Sequence, residues 1–196
     1  EVASPGDKAA IDALTRLAAS NHLETQLAAV VSLGELKAES AVQDIVDIAD
    51  GHQNNFMVKN AIQALGKIGH PKAIPVLIKN LFFERKGVSF YAESSFSLFQ
   101  IGDEAIPELV KTWKGENDSL RSLHLKPDVL KAKTFVVLTD LDAQEVIPLA
   151  MQSLDLQVSG PFSAKARLQA HEAIGKLRVE KGAAPLRKFV TDIDPS

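Results

Sequence analysis

A chain of 196 residues with 45% hydrophobic and 24% charged side chains is long enough to bury most of its apolar side chains in one domain, which sets disorder aside. Twenty-two basic residues against 25 acidic ones leave a net charge of −3, too near neutral for the whole protein to be drawn to nucleic acid or an anionic membrane surface, although a local basic patch is compatible with it. The absence of cysteine excludes a disulfide framework, a thiolate nucleophile and a cysteine-ligated zinc site, and no run approaches the ~20 apolar residues of a membrane-spanning helix.

The chain opens on Glu1 with an expected unstructured lead-in over 1–6, as in a trimmed piece or a mature protein whose leader is gone. The compartment stays open between cytoplasm and, with a leader removed, periplasm or cell envelope. From there one string keeps returning. It reads LGELKAESAVQ from Leu33, LGKIGHPKAIP from Leu65, LFQIGDEAIP from Leu98, LTDLDAQEVIP from Leu138 and IGKLRVEKGAA from Ile174. Intervals of 32 and 33 residues followed by 40 and 36 mark a stacked array with surface insertions in its later copies.

In chain order the expected elements are a half-repeat at 7–19, repeats at 22–50, 55–86 and 89–114, an insertion at 115–126, and repeats at 127–157 and 162–192. Ala10, Ile11, Leu14 and Ala18 align with Ala73, Ile74, Leu77 and Leu81, so the half-repeat is an unpaired second helix. The repeat at 55–86 shows the unit most clearly. Val58, Ala61, Ile62, Leu65 and Ile68 fall on one stripe of a first helix, and Ala73, Ile74, Leu77, Ile78, Leu81 and Phe82 on one stripe of a second. Gly69, His70 and Pro71 break the two and turn them into an antiparallel hairpin.

Pro75, Pro107 and Pro148 share one position, which fits only the first turn of the second helix, where a missing N–H costs nothing. Asp103 is the expected N-cap in the third copy. Gly51, Gly87, Gly115 and Gly160 are the expected helix ends. Small residues at Ala29, Ala61, Ser94, Thr134 and Ala170 predict a close helix crossing within each unit. In the insertion, SLRSLHL predicts one extra helical turn.

The string VKNAIQALGKIGHPKAIPVLIKNL, Val58 to Leu81, closely resembles the HEAT repeat, in particular the short variety also found in phycobilisome lyases. The resemblance runs along nearly the whole chain, strongest over 55–113 and weakest in the last copy. It implies an all-α fold, a right-handed α-solenoid of about five helical hairpins plus the N-terminal half-repeat. Phe99 and Thr139 replace the first glycine of the LGxIG turn, an exchange that looks inexpensive because the position is still helical. For function the resemblance is broad: such arrays, bacterial ones included, serve as scaffolds, adaptors and transport receptors, and less often as enzymes.

Deoxyhypusine hydroxylase is a HEAT-type enzyme that resembles this outline and binds two irons through His-Glu pairs six and five residues before the turn leucine. The matching positions here are Leu27 and Ala28, Lys59 and Asn60, Ala92 and Glu93, Ala132 and Lys133, and Leu168 and Gln169. None is such a pair, and the lone His171–Glu172 lies in another register, so no metal site is expected. Bilin lyases share the repeat type, but no convergent polar or basic groups for a tetrapyrrole stand out. HEAT-like DNA glycosylases use aromatic residues beside acidic and basic ones; the single Trp113 instead aligns with the core position of Leu81. His22, His52, His70, His124 and His171 show no ligand spacing, and no Ser-His-Asp grouping appears. No catalytic residue and no cofactor is expected.

In HEAT arrays the second helices line the concave surface. Four residues beyond the Pro75 position stand Arg16, Asp47, Lys79, Lys111, Gln152 and Lys188, a mildly basic column suited to an acidic or phosphorylated partner segment. Six aromatic residues crowd between Phe82 and Phe99; of the adjacent Phe82 and Phe83 one is expected outside, which makes Phe83 a candidate contact against a packing role. The array ends without an obvious polar closing helix, which suits a piece of a longer array or dimerisation through an end. The expected function is a non-catalytic protein–protein interaction scaffold or adaptor that binds a protein or peptide partner on its concave second-helix surface. A bilin-lyase-like enzyme or enzyme subunit, or a nucleic-acid-binding HEAT-like module, is the alternative.

Overall fold

A computed structural model describes residues 7–143 together with Leu149 and Leu168. The lead-in, Pro148, Gln152, Gly160, Ala170, His171, Lys188 and, apart from Leu149 and Leu168, the expected helices beyond 143 lie outside the described residues. The chain divides into two compact units. One takes Glu1–Glu108 with Asp118–Leu123, the other Leu109–Asn117 with His124–Ser196.

The elements are α1 (Lys8–Ala18), α2 (Leu23–Glu35), α3 (Val42–Gly51), α4 (Asn55–Ile68), α5 (Ile74–Phe82), β1 (Glu84–Arg85), β2 (Val88–Ser89), α6 (Tyr91–Ile101), α7 (Ile106–Lys114) and α8 (Pro127–Asp140). Three-residue 3-10 turns, Glu39–Ala41, Pro71–Ala73 and Asp103–Ala105, lead into α3, α5 and α7.

Local chemistry sets these boundaries. The Asp7 carboxylate accepts from the Ala10 N–H at 3.1 Å and starts α1. The Asn54 side chain accepts from the N–H groups of Phe56 (2.8 Å) and Met57 (3.3 Å) and starts α4. Gly69, in the left-handed region at φ 74°, ends α4 by donating to the Leu65 carbonyl at 3.0 Å. His70 then accepts from the Lys72 N–H through Nδ1 at 3.1 Å, and Pro75 sits in the first turn of α5. Asp103 departs from expectation: it is the first residue of a 3-10 turn flanked by Gly102, and no side-chain cap bond is made there. Of the glycines expected at helix ends, Gly115 has the left-handed backbone (φ 77°), whereas Gly51 is itself the last residue of α3.

Gly87 does not end a helix. Helix α5 stops at Phe82, four residues short of the expected 86, and the chain forms a hairpin in which Arg85 pairs with Val88 and Glu84 with Ser89. Lys86 and Gly87 form its two-residue turn, both at positive φ (51° and 74°), the backbone that matches strand twist.

In the first unit α2, α4 and α6 pack side by side, and α1 packs on α2, α3 on α4 and α5 on α6. Each second helix thus leans on the first helix of the following repeat, so apolar side chains are shared across repeat boundaries. All eleven residues of the two predicted stripes in 55–86 are buried, Val58, Ala61, Ile62, Leu65, Ala73, Leu77, Ile78 and Leu81 completely. Neighbouring first helices touch at glycine: a Cβ on Gly34 would lie 2.8 Å from the Ala64 Cα, and one on Gly66 would lie 2.6 Å from Ser97 Oγ. The Gly34 and Gly66 positions are therefore not free to take a side chain, which is why the LG turn carries glycine in these two copies. The predicted extra turn in the insertion is a 3-10 helix, Asp118–Leu123, which packs on α5 and buries Leu120.

In the second unit Trp113 is buried beneath the Lys131 ammonium, 4.8 Å from the ring centroid, and Asn117 donates to the Thr112 hydroxyl at 2.9 Å. The core assignment of Trp113 agrees with this environment. Along α8, Thr134 and Thr139 return their hydroxyls to the carbonyls of Leu130 (2.6 Å) and Phe135 (2.7 Å), which satisfies them inside an apolar setting.

Candidate partner-binding face

Second-helix residues of the first unit come from α1, α3 and α5. Arg16 is exposed in the last turn of α1. Asp47 is exposed on α3 and accepts from the Gln43 amide at 2.8 Å. Lys79, half-buried on α5, places its ammonium 2.5 Å from the Asp50 carboxylate of α3. Asp44 and Asp50 are exposed on α3 as well, so the cations of α1 and α5 flank an acidic helix. The alignment column omits Asp44 and Asp50 because they fall one turn to either side of it. Their signal is the spacing of three in DIVDIAD, which puts Asp44, Asp47 and Asp50 near one another on the helix surface. Lys111 is exposed on α7 in the other unit, and Lys188 lies outside the described residues.

Phe83 is built into the base of the hairpin. Its ring stacks on buried Phe90 with centroids 6.2 Å apart and planes 10° from parallel, while the Arg85 guanidinium lies 5.6 Å from its centroid. Arg85 also donates to the His52 carbonyl, and the Asn55 amide donates to the Arg85 carbonyl at 3.4 Å, which pins the hairpin to the α3–α4 connection. Phe82 is buried, so neither of the adjacent pair stands free in solvent. Among the described residues the exposed aromatics are Phe96 (59%) and Phe99 (50%) on α6, and Phe56 (71%) on α4, which the sequence reading did not single out. Phe56 is separated from the aromatic-rich segment in the chain, and only its place on the outer side of α4 reveals it.

The C-terminal ends of α2, α4 and α6 enclose an open polar cleft of about 320 Å³, lined by Gly34, Glu35, Lys37, Gly66, Lys67 and Gln100. Lys67 and Glu35 pair across it at 2.5 Å. Two of the positions tested above for iron ligands hold an ion pair instead: the Lys59 ammonium meets the Glu93 carboxylate at 2.6 Å between α4 and α6. Among the described residues no three His, Asp or Glu side chains group to hold a metal ion. His52 and His70 use Nδ1 as backbone acceptors, for Asn54 and Lys72. That role requires the ring proton on Nε2.

Stacked helical hairpins with cores shared between repeats define an all-α solenoid. The HEAT repeats family matches residues 11–82, and that part of the chain is built of HEAT repeats. The solved complex of CpcE and CpcF of phycocyanin lyase from Nostoc sp. PCC7120 is similar in fold, with a TM-score of 0.54 and 20% identity over 96% of this chain and 73% of that one. Human deoxyhypusine hydroxylase in complex with glycerol gives a TM-score of 0.40 and 18% identity over 97% of this chain and 81% of that one. No curated protein matches the sequence significantly.

Proposed function

We propose that this protein is a non-catalytic interaction scaffold that receives a segment of a partner protein on its second-helix surface. The observation that carries the reading is the charged row at repeat spacing on α1, α3 and α5, where the Lys79–Asp50 pair is solvent-accessible at both ends, 32% and 50% exposed. An exposed pair of this kind contributes about 0–1 kcal/mol. An incoming carboxylate or phosphate therefore takes Lys79 over at little cost, and Arg16 is the next cation in register, two second helices away on α1. Lys111 and Lys188 occupy the same position in later copies of the sequence repeat and are each proposed as a partner contact in their own right, while α3 disfavours a partner that is acidic throughout. The fitting partner is a segment whose acidic groups are spaced to meet the cations and skip the Asp44–Asp50 helix.

The test has two stages. Pull-down from a native lysate identifies the partner, and charge reversal of Lys79 and Lys111 to Glu then measures the contribution of the row. The double variant should fold normally, because exchanges of surface charges usually change stability by only about 0.5 kcal/mol, and should bind about tenfold or more weakly at low salt, with the difference shrinking as salt rises. Unchanged affinity at low salt overturns the assignment of this surface.

A further inference from the structure

We draw no further inference here: the strongest candidate, the solvent face of α4 and α6 on which Phe56, Phe96 and Phe99 stand exposed, carries nothing because no feature of the structure shows what covers it.

Discussion

Two glycines and one serine show how little latitude single atoms have where the first helices touch. Alanine is the better helix former by about 1 kcal/mol, so an exposed helical glycine is a site for stabilisation. Gly51 is such a site: nothing lies within 4 Å of an added Cβ, and Gly51→Ala should raise stability by a few tenths to about 1 kcal/mol. Gly34→Ala has the opposite sign. Its methyl would meet the Ala64 backbone at 2.8 Å, and that backbone yields only if α2 and α4 separate. Overpacking of this kind costs about 1–3 kcal/mol, which exceeds the propensity gain. Gly66→Ala presses on Ser97, whose hydroxyl donates to the Ile62 carbonyl at 2.9 Å, and should also destabilise. Urea midpoints of the three variants decide the point; a stabilised Gly34→Ala refutes the close approach. Ser94 is a separate case, completely buried with a hydroxyl that has no hydrogen-bond partner. The corresponding residues Ala29 and Ala61 show that a methyl fits this column, so Ser94→Ala should stabilise the fold by about 1 kcal/mol in the same assay.

At the scale of elements, the hairpin between α5 and α6 separates what periodicity reveals from what it hides. Helices α4 and α5 were legible because their apolar residues follow a 3.6-residue stripe with glycine and proline between them. The strands have two residues each, too few for alternation to register, and only the Lys86–Gly87 step hints at the turn. Extending α5 to 86 would also draw Phe83 away from its stack on Phe90. Phe83→Ser removes that stack, the Arg85 cation–π contact and part of an apolar surface, a combined loss of about 2 kcal/mol. Thermal unfolding of the variant should shift down while partner affinity stays within about twofold, since RT ln 2 is only ~0.4 kcal/mol. A binding loss with intact thermal stability would instead return Phe83 to the docking surface. The candidate face was legible to the same degree. A repeat alignment supplies the column of Arg16 and Lys79, but pairing across helices is decided by side-chain reach. The Asp50 carboxylate, three residues from the column, is the group that holds Lys79.

Across the first unit as a whole, the consequence of an array is that each helix depends on its neighbours and on nothing more remote. Helix α4 packs on α2, α3 and α6 at once, whereas α1 packs chiefly on α2. Leu65, completely buried on α4, and Ile11, buried on α1, make a matched pair of probes. Truncation of such a side chain to alanine costs about 2–5 kcal/mol through lost transfer energy and the cavity left behind. In a compact domain with one central core both variants would lower amide protection throughout. Nearest-neighbour coupling predicts something else. Leu65→Ala should raise hydrogen-exchange rates in α2, α3, α4 and α6 together, because the helix that joins them has loosened. Ile11→Ala should raise them in α1 and α2 and leave α5 and α6 at wild-type values. Peptide-resolved exchange under native conditions distinguishes the two patterns. An Ile11→Ala variant whose α6 amides exchange as fast as those of α1 would show that the unit unfolds as one block, and the repeat-by-repeat account of its stability would fail.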